Sequence, residues 1–163
     1  MKSIELDIAV VNASPLICFA KSDMMNILLQ AFKIVLVPKE VRQEVLNANA
    51  NDKARLFLSC KNDLSIVDCG VFSSHLLEWD LGQGETSVLQ YVSQNERTVA
   101  VIDDAAARKC ARTLSIPYCG SLGVLAKARK MGLVRDILPC VEALRSNGMW
   151  IKQSLINDLV RNN

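Results

Sequence analysis

Short, unbroken apolar runs alternate with helix-patterned segments along this chain, and few architectures accept that alternation. Residues 8–11 (Ile-Ala-Val-Val), 33–37 (Lys-Ile-Val-Leu-Val) and 98–102 (Thr-Val-Ala-Val-Ile) are too short for helices and apolar at successive positions. A strand covered on both faces reads this way. Weaker strand signals lie at 64–67 and 116–119. Between the strands the spacing predicts helices over about 15–21, from Asp23 to Phe32, after Pro38, and over 50–59. Further helices are expected from Leu81 to about 94 and over 105–114, 121–131, 134–146 and, more weakly, 152–161, while 69–80 reads as irregular. Parallel strands require crossover connections, usually helical. The expected fold class is therefore α/β, a short parallel sheet with helices on both faces.

Within that frame some residues have evident local jobs. Ser14 suits the N-cap of the first helix, with Pro15 at its first position. Asp104 suits the N-cap of the helix over 105–114. No linker, repeat or low-complexity stretch interrupts the 163 residues, so 1–163 reads as a single domain.

Composition excludes more than it proposes. Net charge is only +2, so any nucleic-acid footprint must be local. Six cysteines include no C-x-x-C pair, and His75 is the one histidine, which argues against a zinc site. Several cysteines fall inside apolar patterns and read as reduced thiols of a cytoplasmic protein. The opening Met1–Asp7 has no apolar signal core, and no uncharged apolar run is long enough to cross a bilayer, so no membrane is expected.

In open α/β sheets, sites form beyond the carboxyl ends of the strands. Asn12 and Ser14 follow the first strand, and Asp103 and Asp104 follow the strong central one. Glu44 lies in the helix after the second strand, and Glu85 in the first turn of a later helix behind Gly82-Gln83-Gly84. Carboxylates crowded together raise one another's pKa and oppose folding unless a cation sits among them. Oxygen ligands of this kind suit Mg2+ or Mn2+. The chemistry that fits is hydrolysis of a phosphodiester.

Resemblance ties these separate residues together. Val-Val-Asn-Ala-Ser-Pro-Leu-Ile at 10–17, Val-Pro-Lys-Glu-Val-Arg-Gln-Glu-Val at 37–45 and Leu-Gly-Gln-Gly-Glu at 81–85 resemble motifs of PIN-domain proteins. So do Val-Ile-Asp-Asp-Ala-Ala-Ala-Arg at 101–108 and Gly-Ser-Leu-Gly-Val-Leu at 120–125, in the expected order. The likeness is to a PIN-like branch related to VapC-type toxins. It implies a three-layer α/β/α, Rossmann-like domain with an acidic pocket at the carboxyl edge of its sheet. It also implies a Mg2+- or Mn2+-dependent endoribonuclease acting on RNA, the toxin of a VapBC-type pair restrained by a small antitoxin, and a homodimer.

Position by position, the resemblance sets Asn12 where the first catalytic aspartate usually stands and Ser14 at the hydroxyl residue beside it. It sets Glu44 at the second acidic position, Glu85 at the third, and Asp104 at the fourth with Asp103 beside it. Asn12, Glu44, Glu85 and Asp104 are then the expected metal ligands. Asn12 departs from the pattern, because an amide offers a carbonyl oxygen but no negative charge. That departure opens the alternative of a catalytically weak or inactive PIN scaffold that binds RNA or a protein partner.

Each residue also has a plainer explanation. Asp104 as a cap needs no metal, and Glu85 in a first turn meets the helix dipole favourably. Glu44 fits a solvated helix flank, with Glu40 one turn earlier as its rival. His75 is assigned no catalytic role. Arg108, Lys109 and Arg112 are by default a solvated face, and their place after the acidic cluster offers phosphate contact as the alternative.

Overall fold

The computed structural model describes residues 6–47, 52–60 and 64–161. The three strong apolar runs become the centre of one sheet: β1 (Ile8–Val11), β2 (Ile34–Pro38) and β4 (Thr98–Val101). Together with β3 (Leu64–Val67) and β5 (Tyr118–Cys119) they form a five-stranded sheet in the order β3-β2-β1-β4-β5. Every pairing is parallel, and β1 pairs on both sides, Ala9 with Val35 of β2 and with Val99 of β4. Ala9, Val10 and Val11 are fully buried, which is why that stretch carries no polar alternation. The outer strand β3 is looser, with Ile66 exposed.

Topology decides where the helices go. Crossovers between parallel strands are almost always right-handed. The chain steps one way from β1 to β2 to β3 through α1 (Ala13–Lys21), α2 (Met25–Ala31), α3 (Lys39–Asn47) and α4 (Lys53–Ser59). It then returns across the sheet to β4 and β5 through α5 (Ser74–Leu77), α6 (Gln83–Gln94) and α7 (Ala105–Thr113). The change of direction places the two sets on opposite faces, giving the three-layer α/β/α arrangement. Contacts agree: α1 packs on α2, α3 and α4, whereas α6 packs on α5 and α7. α8 (Ser121–Lys130) comes back to pack against α2, and α9 (Leu138–Ser146) and α10 (Gln153–Arg161) complete the described chain. Leu16, Phe19, Leu28, Leu89 and Leu125 are among the largest fully buried side chains, each contributing about 1.5–3 kcal/mol of transfer free energy.

Several local expectations need correction. Ser14 does not cap α1: the helix starts at Ala13, Asn12 occupies the N-cap position, and Ser14 is exposed in the first turn. Pro15 is thus the third helical residue. Asp23 does not cap α2, whose N-cap position is Met24; Asp23 takes a positive φ of 55° in the turn instead. The stretch read as irregular holds the one-turn α5, too short to show a helical period. Helix α9 begins four residues later than expected, because Pro139 fits only its opening turn. Of the helix expected over 50–59, residues 50 and 51 lie outside the described residues. No described helix is long and apolar enough to cross a membrane.

The reversal of strand order falls between β1 and β4. Their carboxyl ends diverge there, and ligand sites of open α/β sheets form at such a point. α3 and α6, from opposite faces, also meet each other across this rim.

Candidate active site

Asn12 stands at the end of β1, where its backbone N–H continues the ladder to the carbonyl of Val101. It is 1% exposed. Its side-chain Nδ2 donates to Oε1 of Glu85 at 3.1 Å. Its Oδ1 is buried and has no hydrogen-bond partner. An unmade bond at so buried an amide oxygen costs roughly 1–3 kcal/mol and leaves this atom free to accept from or ligate a bound group, a condition it shares with Asp7 Oδ1 and Glu40 Oε2.

Glu85 enters from the first turn of α6, whose N-cap Gly82 leaves its carbonyl to accept from both the N–H and the Oγ1 of Thr86. Gly84, buried in the same turn, explains the glycine spacing. A Cβ there would lie 2.7 Å from Oε2 of Glu44, 3.1 Å from Oδ1 of Asn12 and 3.4 Å from Val41. The space beside Gly84 is therefore bounded by oxygens of two candidate residues. Glu44 reaches it from α3. The residue as a whole is exposed, but the burial its carboxyl group does feel raises its pKa, and the neighbouring Glu85 carboxylate raises it further. A groove of about 520 Å³ runs on from this point between α3 and α6, lined by Lys39, Glu40, Glu44, Asn47, Gln83 and Gly84. A roomier cavity of about 860 Å³ between α8 and α10 contains none of the candidate residues.

The rival Glu40 lines the same groove, and its Oε2 is also buried without a hydrogen-bond partner. Its charge acts on Lys39 and on the buried Cys69, whose thiol burial pushes up to about 12. The two aspartates after β4 part company. Asp104 is exposed and its Oδ1 accepts from the Ala107 N–H at 2.8 Å, a helix cap as its position allows. Asp103 turns inward along the rim, accepting from the Ser121 N–H at 2.9 Å and the Ser121 Oγ at 2.6 Å. Its charge, after burial, helps raise the pKa of Cys18 on α1. Among the described residues no three His, Cys, Asp or Glu side chains stand close enough to hold a metal ion. The structure therefore brings together Asn12, Glu44 and Glu85, and it does not bring the Asp104 carboxylate to them.

Two residues matter more than their sequence context indicated. Arg108 read as solvated surface, yet its Nε donates to the Ile102 carbonyl at 3.1 Å. Its guanidinium lies where a Cβ on residue 120 would be, so any side chain there would displace it, and Asp103 Oδ1 would be 2.8 Å from that same Cβ. Ser121, fully buried, exists to anchor Asp103. The signal for both was the Gly120-Ser121 pair, which alone reads as an ordinary helix start.

The residues present fit a divalent cation in kind: two carboxylates, an amide oxygen lacking a partner, and a glycine that leaves the space between them open. No curated protein matches this sequence. A family model described as a PIN domain matches residues 8–163, nearly the whole chain and every candidate residue above. With that match and the parallel α/β/α sheet that carries the site, this chain belongs to the PIN-domain family.

Proposed function

We propose that this protein is a divalent-metal-dependent endoribonuclease that hydrolyses RNA phosphodiester bonds at the rim between β1, α3 and α6. PIN domains are generally nucleases. The observation that carries the reading is the unpartnered, buried Oδ1 of Asn12, facing the space that Glu44 also borders, while Glu85 is held on the other side of the same amide. Asn12 Oδ1, Glu44 and Glu85 would hold the Mg2+ or Mn2+. When bound, the ion supplies positive charge for the phosphate and makes a water more acidic.

The chain's own residues supply the rest. Glu44 borders the groove where a strand would lie, and its carboxylate oxygen not engaged by the ion can take a proton from the attacking water. Water adds to phosphorus as its proton passes to Glu44, the bond to the leaving oxygen breaks, and that oxygen takes a proton from solvent. Arg108, fixed by the Ile102 carbonyl, offers its Nη groups to a phosphate at the same rim. Asp103, tied to Ser121, is the aspartate we place beside the site, and Asp104 is left to cap α7. Ser14, exposed in the first turn of α1 beside Asn12, is in place to meet the substrate.

In this reading the protein is the toxin of a VapBC-type pair, working in the cytoplasm as a homodimer and restrained by a small antitoxin. The support is the resemblance of its motifs to that branch. A second reading has its own observation: with an amide at position 12 and no trio of acids among the described residues, the site resembles a scaffold that binds RNA or a protein without cutting. One experiment separates them. Mn2+ is titrated while thermal stability and cleavage of a mixed RNA substrate are followed together. Cleavage that rises with Mn2+ and vanishes in Glu85→Gln, with folding kept, supports the nuclease. Metal-independent RNA binding without cleavage supports the scaffold.

A further inference from the structure

We infer that Asn12 is a positioning residue that clamps Glu85 while no cation is bound, so that the site stands formed before an ion arrives. The inference rests on the reading of this rim as the metal site, and it concerns what the amide does there. The contact between Asn12 Nδ2 and Glu85 Oε1 at 3.1 Å needs a donor on residue 12. An ionised carboxylate has none. Because Nδ2 must face Glu85, Oδ1 is forced to the other side, toward Gly84 and Glu44, where it finds no partner. One buried amide thus holds one carboxylate and aims a neutral oxygen beside the other.

An aspartate at this position would face Glu85 with acceptors only. Two carboxylates in that contact, one of them 1% exposed, repel unless a cation separates them. Such a site would bind the ion more tightly, since affinity for hard cations follows ligand charge, but it would depend on the ion for its order. The amide reverses both properties: order without the ion, and weaker binding of it.

The test uses the full chain with Asn12→Asp, Glu85→Gln and the double variant, which exchanges amide and carboxylate across the same contact. Melting midpoints are read in EDTA and in Mn2+, and Mn2+ affinity by calorimetry. Asn12→Asp is expected to melt well below wild type in EDTA and to bind Mn2+ about tenfold more tightly, with a larger Mn2+-induced rise in midpoint. Glu85→Gln is expected to change the EDTA midpoint little. The double variant regains most of the midpoint lost by Asn12→Asp, a non-additive result that residues without mutual contact do not give. If Asn12→Asp does not fold, folding of the double variant near the wild-type midpoint supports the clamp, and its failure to fold overturns it. Additive single effects, or an unchanged EDTA midpoint in Asn12→Asp, also overturn it. Rescue by the double variant with no Mn2+ binding in any form supports the clamp and overturns the nuclease reading. Mn2+ binding by wild type without rescue does the reverse.

Discussion

Asp7 at one edge of the sheet and the Glu44–Glu85 pair at the other are acidic side chains treated in opposite ways. At the amino edge, Asp7 lies just before β1, 5% exposed, with Oδ2 paired to Lys33 at 3.0 Å and to Arg97. The hydrogen bond from Lys33 and the charge of Arg97 hold its pKa below the ordinary value against the opposing effect of burial. Lys33 also ties its backbone N–H to the Asp7 carbonyl, so this corner locks β1 to β2. At the carboxyl edge, Glu44 and Glu85 approach each other with no Lys or Arg among the described residues in ion-pair contact with either. The pKa of Glu44 moves up, not down. At Asp7 the chain supplies the countercharge itself, as it does for Asp68 through Lys39, whereas at Glu44 and Glu85 it supplies none among the described residues.

Removing a carboxylate from each edge is the sharpest way to probe this contrast. Glu85→Gln is expected to reduce Mn2+-dependent cleavage about 100-fold or more, with the midpoint in EDTA within a few degrees of wild type, measured by turnover of a labelled RNA and by calorimetry. Gly84→Ala places a methyl 2.7 Å from Glu44 Oε2. Weaker Mn2+ binding, by roughly tenfold, is expected, with folding retained because Glu44 is exposed enough to move aside. Wild-type affinity in this variant would remove the space beside Gly84 from the site.

The amino edge should respond in stability alone. Asp7→Asn is expected to lower the melting midpoint at neutral pH and leave Mn2+ affinity unchanged. A folded pKa below the unfolded one means the Asp7 contribution is present above the unfolded value of 3.8 and is lost as pH falls through the folded pKa. The gap between variant and wild type should therefore close in acid, as a pH series of thermal melts would record. Glu44→Gln has the opposite sign and the smallest effect. The raised pKa makes wild type lose stability as pH rises above 4.5, so in EDTA the variant should gain slightly above that pH and nothing below it. Added Mn2+ should reverse the order. A variant that melts lower than wild type at neutral pH in EDTA would show Glu44 to be structural, like Asp7.

The sheet was legible in the sequence because a doubly covered strand must be apolar at successive positions, and 8–11, 33–37 and 98–102 are. Asn12 and Glu85 were legible through motif resemblance, with Gly84 as a physical clue. What stayed hidden depends on exit angles that no local pattern encodes. Asp103 and Asp104 are neighbours of the same type; which turns inward follows from how the chain leaves β4 after the buried Ile102, and the anchor that decides it, Ser121, lies 18 positions on. Ser14 and Asn12 are both good capping types, and α1 begins two residues earlier than Pro15 indicated. Arg108 shows its role only through Gly120, a residue that contacts it in space and not in sequence.

The most direct measurement is the anomalous difference map of crystals grown with Mn2+. One peak is expected beside Gly84, bonded to Asn12 Oδ1, Glu44 and Glu85 at about 2–2.5 Å and absent from Glu85→Gln crystals. A peak elsewhere, or an Asn12 Oδ1 left without a ligand in saturating Mn2+, would contradict the assignment of this rim as the metal site.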